Sequence, residues 1–360
     1  MLTVKSIITK NLWVSAAITF IAILIIPIGL SFQGSSSITM PKGVYVKKGN
    51  RIFYNFLEQL KQEKGILVLG TSETGNQLDG NNYFSILNKD KEFNKPVYAF
   101  GGAGRAANVY FPLILDNPKA FENLELIYYI NPTYWRNGLN KFSEDYFKRY
   151  VDDGLAFSVK NKAQRSAIYN KFIKDGAEIK SYFPFITERI TDNFKSFYYH
   201  NLTNLIANKI PIKSSKIDIK NFYNDQKLKG FKQKINLEYN VTDEFLKKNS
   251  PFPAIDTSSS YQYELLYNFI KLTKQYNINC TFYLGPYNEI YCNQQSPELK
   301  KEHQKVVRNI RQLLIKNDAV FIDGSAQSTI PGTFTDIQHI SEYGAYLTAI
   351  QIKEYYEKNN

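Results

Sequence analysis

The stretch GILVLGTSETGNQ, Gly65 to Gln77, decides how the chain is read. A short apolar run breaks into small and hydroxyl-bearing residues, the pattern of a buried strand running into a tight turn. Two kinds of site are built on such a turn. Thr71, Thr74 and Gly75 can form a loop whose N–H groups and hydroxyls hold a phosphate, as for a bound flavin. Alternatively, Ser72 is a nucleophile held at the end of the first strand.

Working outward from that turn, helices and short apolar strands alternate. Asn50 to Lys64 reads as a helix and Ile66 to Leu69 as the first strand. A helix over about 77–87 precedes KPVYAF, a strand ending at Gly101 and Gly102. A helix over about Arg105 to Leu115 leads to LELIYYI, a third strand ending at Asn131. Beyond Thr257, SSYQYELLYNFIKLTKQYNI has a serine cap and helical spacing, and CTFYLGPYN is a strand and turn. SPELKKEHQKVVRNIRQLLIKN, AVFIDGS and SEYGAYLTAIQIKEYYEK complete the series as helix, fifth strand and closing helix. This alternation predicts an α/β fold, a three-layer doubly wound parallel sheet, whose ligands bind at the carboxyl ends of the strands. Those ends carry Ser72, Gly101, Asn131, Pro286 to Asn288, and Asp323. Between 132 and 257 the alternation stops, and a Tyr-, Phe- and Lys-rich, mainly helical insertion is expected to pack over the third-strand edge of the sheet.

A phosphate loop demands nothing of the far end of the chain, whereas a serine nucleophile needs a base and an orienting group. Only three histidines are available. His200 lies in the aromatic insertion, and His303 on a lysine-rich helix where a solvated face is expected. His339 lies in GTFTDIQHISEYGAYL, just after the fifth strand, with Asp336 three residues earlier. That D-x-x-H step lets a carboxylate reach Nδ1 while Nε2 faces a cleft. FGGAGR, Phe100 to Arg105, offers a glycine backbone for an oxyanion hole, although the same glycines also serve simply to turn the chain.

Gly70-Thr71-Ser72, Gly101 to Gly104, Asn131 and Asp336 to His339 together resemble the four blocks of the SGNH (GDSL-like) hydrolase family. The resemblance implies a flavodoxin-like fold, Ser72 as nucleophile, His339 as base and Asp336 as its orienter. It also implies an oxyanion hole from the N–H groups of Ser72 and Gly101 or Gly102, with the Asn131 side chain. The third block departs from the family's G-x-N-D, because Tyr129 replaces the glycine and Pro132 the aspartate. NPTYW at Asn131 to Trp135, a late PYNEIY and a single amino-terminal span look like the membrane-anchored DltD-type branch of teichoic-acid D-alanylation. Related anchored proteins assist acyl transfer to exported polysaccharides. On this resemblance the activity is that of a serine esterase or O-acyltransferase on a cell-envelope glycopolymer, without cofactor or metal. Tyr134, Trp135, Tyr287 and Asn288 are then candidates for the substrate wall, and a membrane-bound O-acyltransferase is a candidate partner. The rival readings are a non-catalytic binding module and, more remotely, flavin binding. Flavin binding leaves the D-x-x-H step and the amino-terminal span unexplained.

That span is LWVSAAITFIAILIIPIGLSF, Leu12 to Phe32, which holds no charged residue and has about the ~20 residues needed to cross a bilayer. It divides the chain into a tail at 1–11, a signal anchor at 12–32, a linker at 33–49 and the α/β domain at 50–360. No A-x-A-like cleavage site follows it, so a retained anchor is preferred to a removed signal peptide. The flanking lysines do not decide the orientation. The formal net charge of +12 is spread among acidic residues without a dense basic block, so no nucleic-acid partner is inferred. Cys280 and Cys292 are read as free thiols, since the strand between them separates them by roughly 15 Å at about 3.3 Å per residue. A periplasm-active reporter fused after Asn360 is expected to be active and a cytoplasm-only reporter silent; the opposite pattern places the α/β domain in the cytosol.

Overall fold

The computed structural model describes residues 11–21, 50–74, 82–101, 106–116, 118–136, 216–234, 260–336 and 338–359. They fall in two compact units; residues 11–21 and 50–56 belong to the first, and the rest to the second. In the first, residues 11–21 are helical and leave Leu12, Trp13, Val14, Ile18, Phe20 and Ile21 exposed. Among the described residues no helix is long and apolar enough to cross a membrane. Residues 22–32 of the expected span, and the linker at 33–49, lie outside the described residues.

The second unit is built on a parallel sheet of β1 (Ile66–Gly70), β2 (Val97–Gly101), β3 (Glu125–Ile130), β4 (Asn279–Leu284) and β5 (Phe321–Asp323). Its order is β2-β1-β3-β4-β5, the doubly wound arrangement expected of the alternating pattern. The strands read as continuous apolar runs because both faces are covered. Ile66, Val68, Ile127, Tyr129, Tyr283 and Ile322 enter one core. It also receives side chains of helix α2 (Tyr83–Lys89) and the last helix, α10 (Glu342–Asn359). On the opposite face, Tyr128 meets Phe269 of α7 (Ser260–Gln275) edge-on at 4.9 Å, and Tyr110 of α3 (Ala107–Asp116) at 5.9 Å. Helix starts follow capping chemistry: the side chains of Asn82 and Ser296 accept the N–H of Ser85 and Leu299, opening α2 and α9 (Pro297–Lys316).

The expected helix over 77–87 begins in the structure at Tyr83, after the Asn82 cap; residues 75–81 are outside the described residues. β3 is the centre of the sheet, so it offers no edge for the expected insertion to cover. Of the insertion's described residues, 132–136 form a 3-10 turn directly after β3, and 216–234 lie against other elements. Ile217 bridges Asp90 beyond α2, and Ile219 and Tyr223 join the core shared by α2 and α10. Residues 137–215 and 235–257 of the insertion lie outside the described residues. His303 is not on a solvated face: it is fully buried and stacked on the Tyr287 ring at 5.3 Å. Cys280 and Cys292 are both buried and free.

Lys353 fastens the last helix to the rest of the unit. Its ammonium, 2% exposed, lies 2.7 Å from the equally buried Asp90 and also pairs with Glu92. Removing one partner of a buried ion pair leaves an uncompensated charge, which costs about 3–5 kcal/mol. Lys353→Met is therefore expected to lower the unfolding free energy of the α/β unit, measured by urea denaturation, by that amount. A double variant that also carries Asp90→Asn should recover part of the loss; equal midpoints for Lys353→Met and the unmutated chain contradict this.

Candidate active site

β1 ends at Gly70, and the chain tightens at once into a single 3-10 turn, Ser72–Thr74, closed by Thr74 N–H on Thr71 O at 3.1 Å. Gly70 pairs in register with Gly101 at the end of β2. A Cβ on Gly101 would stand 2.7 Å from Thr74 Cβ, 2.8 Å from Thr74 C and 2.9 Å from Thr71 O. The glycine is needed there because the serine turn folds directly over it. Below the turn, Tyr110 places its hydroxyl 2.8 Å from Phe100 O and 2.5 Å from Gly70 O, tying the ends of β1 and β2 together. Thr74 Oγ1 shares a 2.8 Å hydrogen bond with the Tyr83 hydroxyl. Ser72 is thus set on a rigid, buried support.

The D-x-x-H segment is held just as closely. Gly332 enters it with φ 86, in the left-handed region. Phe334 and Ile340 bridge in antiparallel fashion, and Thr335 N–H donates to His339 O at 2.9 Å. Inside this small loop Asp336 Oδ1 accepts the N–H groups of Gln338 at 2.8 Å and His339 at 2.7 Å. That leaves Oδ2 for the imidazole, 2.7 Å from Nδ1. The other ring nitrogen, Nε2, lies 2.8 Å from Ser72 Oγ. In the neutral tautomer Nδ1–H donates to Asp336 and Nε2 accepts the serine hydroxyl, the disposition of a general base on a nucleophile.

Burial raises the Asp336 carboxyl, but the His339 ring and the two N–H groups outweigh it and hold it below the usual carboxylate value. The hydrogen bond to Asp336 raises His339 above the ordinary imidazole value. Burial opposes the shift, while the charges of Asp336 and Glu73 add to it.

Glu73, which the sequence reading passed over, is the residue the structure adds. It follows Ser72 and is 1% exposed, and burial pushes its carboxyl up to about 7 against the pull of its own N–H, His339 and Asn131. Asn131 Nδ2 donates to Glu73 Oε1. The only legible signal was an acid directly after the candidate nucleophile, in GTSET.

Several expected site residues have other surroundings. Trp135 is 4% exposed and packs on Tyr263 at 5.7 Å, so it belongs to the core rather than to an open wall. Tyr287 is likewise buried, with its hydroxyl donating to Glu289 at 2.9 Å. Asn288 caps α8 (Glu289–Gln295) through Tyr291 N–H and donates its Nδ2 to Asp336 O at 3.0 Å. It supports the D-x-x-H loop instead of facing a substrate. Gly102 and the side chain of Tyr134 lie outside the described residues. Among the described residues, no group of three or more His, Cys, Asp or Glu is arranged to hold a metal ion.

No protein-family model matches the chain, and no curated protein matches it. Among solved structures it is similar to Axe2, an acetylxylan esterase from Geobacillus stearothermophilus. Identity is 12% and the TM-score 0.38, covering 81% of this chain and 95% of that one. A catalytic mutant of Axe2 is similar at 11% identity and a TM-score of 0.37, over 86% of this chain and 95% of that one. Likeness at this level carries no argument about chemistry; the distances around Ser72 do.

The geometry fixes a sign for the site's response to pH. Because Asp336 favours the charged imidazole, the His339 ring is expected to titrate above an ordinary histidine when its proton resonances are followed by NMR. Asp336→Asn should move that titration to lower pH. An unmoved midpoint would show that Asp336 does not set the basicity of the ring.

Proposed function

We propose that the chain is an SGNH-type serine esterase or O-acyltransferase that works on acyl groups of a cell-envelope glycopolymer such as a teichoic acid or exopolysaccharide. The observation that carries this reading is the continuous relay from Ser72 Oγ through His339 to Asp336, 2.8 Å and then 2.7 Å long. Ser72 attacks the acyl carbonyl carbon while its proton passes to His339 Nε2, and the imidazolium is steadied by Asp336. The tetrahedral oxyanion falls to donors at the strand ends, for which the Ser72 and Gly101 N–H groups and the Asn131 amide are the candidates. Collapse breaks the bond to the alkoxide leaving group, which takes the proton back from His339 and leaves an acyl-serine. Water, or a sugar or polyol hydroxyl, then gives its proton to His339 and attacks the acyl carbon; the acyl–Oγ bond breaks and Ser72 Oγ takes the proton back from His339, releasing the acid or the new ester.

The envelope setting rests on the uncharged run from Leu12 to Phe32, read as an anchor that holds the α/β domain outside the cytoplasm. The DltD-type likeness of NPTYW and PYNEIY supports a polymer acceptor, with a membrane-bound O-acyltransferase as partner.

Ser72→Ala is expected to leave the fold intact, abolish labelling by a fluorophosphonate and slow hydrolysis of a p-nitrophenyl ester by ~10⁴-fold or more. Turnover close to that of the unmutated chain would remove Ser72 as the nucleophile. An unmutated chain that neither labels nor turns over ester would be a binding module.

A further inference from the structure

Glu73 has no part in the relay, yet it is buried beside it. A carboxyl at that depth is costly to the fold unless it is well partnered, and an apolar side chain would fill the space without the cost. One of its oxygens, Oε2, has no hydrogen-bond partner among the described residues. The other accepts Asn131 Nδ2. The orientation of the Asn131 amide is settled by chemistry rather than by density of atoms. Thr133 brings its N–H to 2.9 Å and its hydroxyl to 2.6 Å of the same amide atom, and an N–H can donate only to the oxygen. Oδ1 is therefore fixed on Thr133, and Nδ2 is turned to Glu73. An amide nitrogen has two protons. With one committed to Glu73, the planarity of the group fixes the direction of the second.

We propose that Glu73 is a positioning residue: with Thr133 it clamps the Asn131 side chain from both ends, so that the second Nδ2–H is held ready as an oxyanion donor. The inference rests on the serine-hydrolase reading above for its consequence, and on the clamp geometry for its substance. It also accounts for the altered third block. Where the family pattern continues with an aspartate after the asparagine, this chain has Pro132, which has no side-chain donor or acceptor. Orientation comes instead from Thr133, two positions on, and from an acid beside the nucleophile. Ser72 and Glu73 share one turn, so the nucleophile and the clamp on its oxyanion donor are placed by the same few backbone bonds. An ionised carboxylate is also a stronger acceptor than a neutral group, which tightens the clamp when Glu73 carries charge.

The test uses the full-length chain and its Glu73→Ala, Glu73→Gln, Asn131→Ala and Glu73→Ala/Asn131→Ala variants. With p-nitrophenyl acetate, Asn131→Ala is expected to lower kcat by ~10²-fold, as loss of one oxyanion donor does. Glu73→Ala should lower kcat by ~10-fold or more with KM nearly unchanged, since only the transition state uses the clamped donor. The double variant should be no slower than Asn131→Ala beyond a factor of about three, because Glu73 acts through Asn131. Glu73→Gln, which keeps an acceptor oxygen and the shape of the side chain, should recover most of the loss. Losses that multiply in the double variant, or an unchanged kcat in Glu73→Ala, would overturn the clamp. The Asn131 side-chain amide resonances, assigned by their disappearance in Asn131→Ala, give a readout free of turnover. One proton is expected downfield in the unmutated chain and in its ordinary range in Glu73→Ala; identical spectra overturn the proposal. If the unmutated chain neither labels with the fluorophosphonate nor hydrolyses ester, the proposed function fails and these resonances alone decide on Glu73.

Discussion

The site depends on carrying a histidine back across the sheet. Ser72 follows β1, which lies inside the sheet, whereas the segment bearing His339 leaves β5 at the far edge. With neighbouring strands about 4.8 Å apart, the chain must return by three spacings, roughly 14 Å, before the two side chains can meet. The loop after β5 is moored at its start by Arg311, whose guanidinium lies 2.6 Å from Asp323 and 2.8 Å from Ser325. Gln327 continues the mooring inward, donating to the Tyr283 hydroxyl of β4 at 3.0 Å and to Gln351 of α10 at 2.8 Å. Phe334 and Ile340 then sink into the core that contains β1, and Ser341 caps α10 through Gly344 N–H. Each polar anchor shortens the unguided stretch of chain. The histidine arrives on a path of fixed points, not at the end of a free loop.

The charges follow the same economy of placement. Asp336 spends one oxygen on two backbone N–H groups, which shapes its own loop, and the other on the ring it orients. A carboxylate so engaged stays ionised, and that is what a transient imidazolium requires of it. Glu73 lies in a drier place and is drawn the other way by burial. Two acids near one ring are thereby driven apart in behaviour by their surroundings, and a single imidazole senses both.

Much of this was legible in the residues. Apolar runs of strand length separated by amphipathic helices fix a doubly wound sheet, and its strand ends then collect Ser72, Asn131 and the D-x-x-H step without further assumption. Strand order was not legible, because the pattern does not say which side of β1 the chain turns to after β2. That is why the insertion was expected at an edge that β3 does not form. Aromatic residues near a strand end misled for a related reason. Tyr287 and Trp135 look like ligand walls in sequence, yet a ring just beyond a strand can turn back into the core as easily as outward, and both do. His303 was misplaced by its lysine neighbours: on a helix, charged residues next to a position say little about the face it occupies. Glu73 was hidden because a buried acid has the same letter as a solvated one.

The relay joins residues 267 apart in the chain, and its second half arrives with the last loop and the last helix. During synthesis the serine turn can therefore form long before any base exists to activate it. A chain cut short before the D-x-x-H segment keeps the serine turn but has no imidazole beside Ser72.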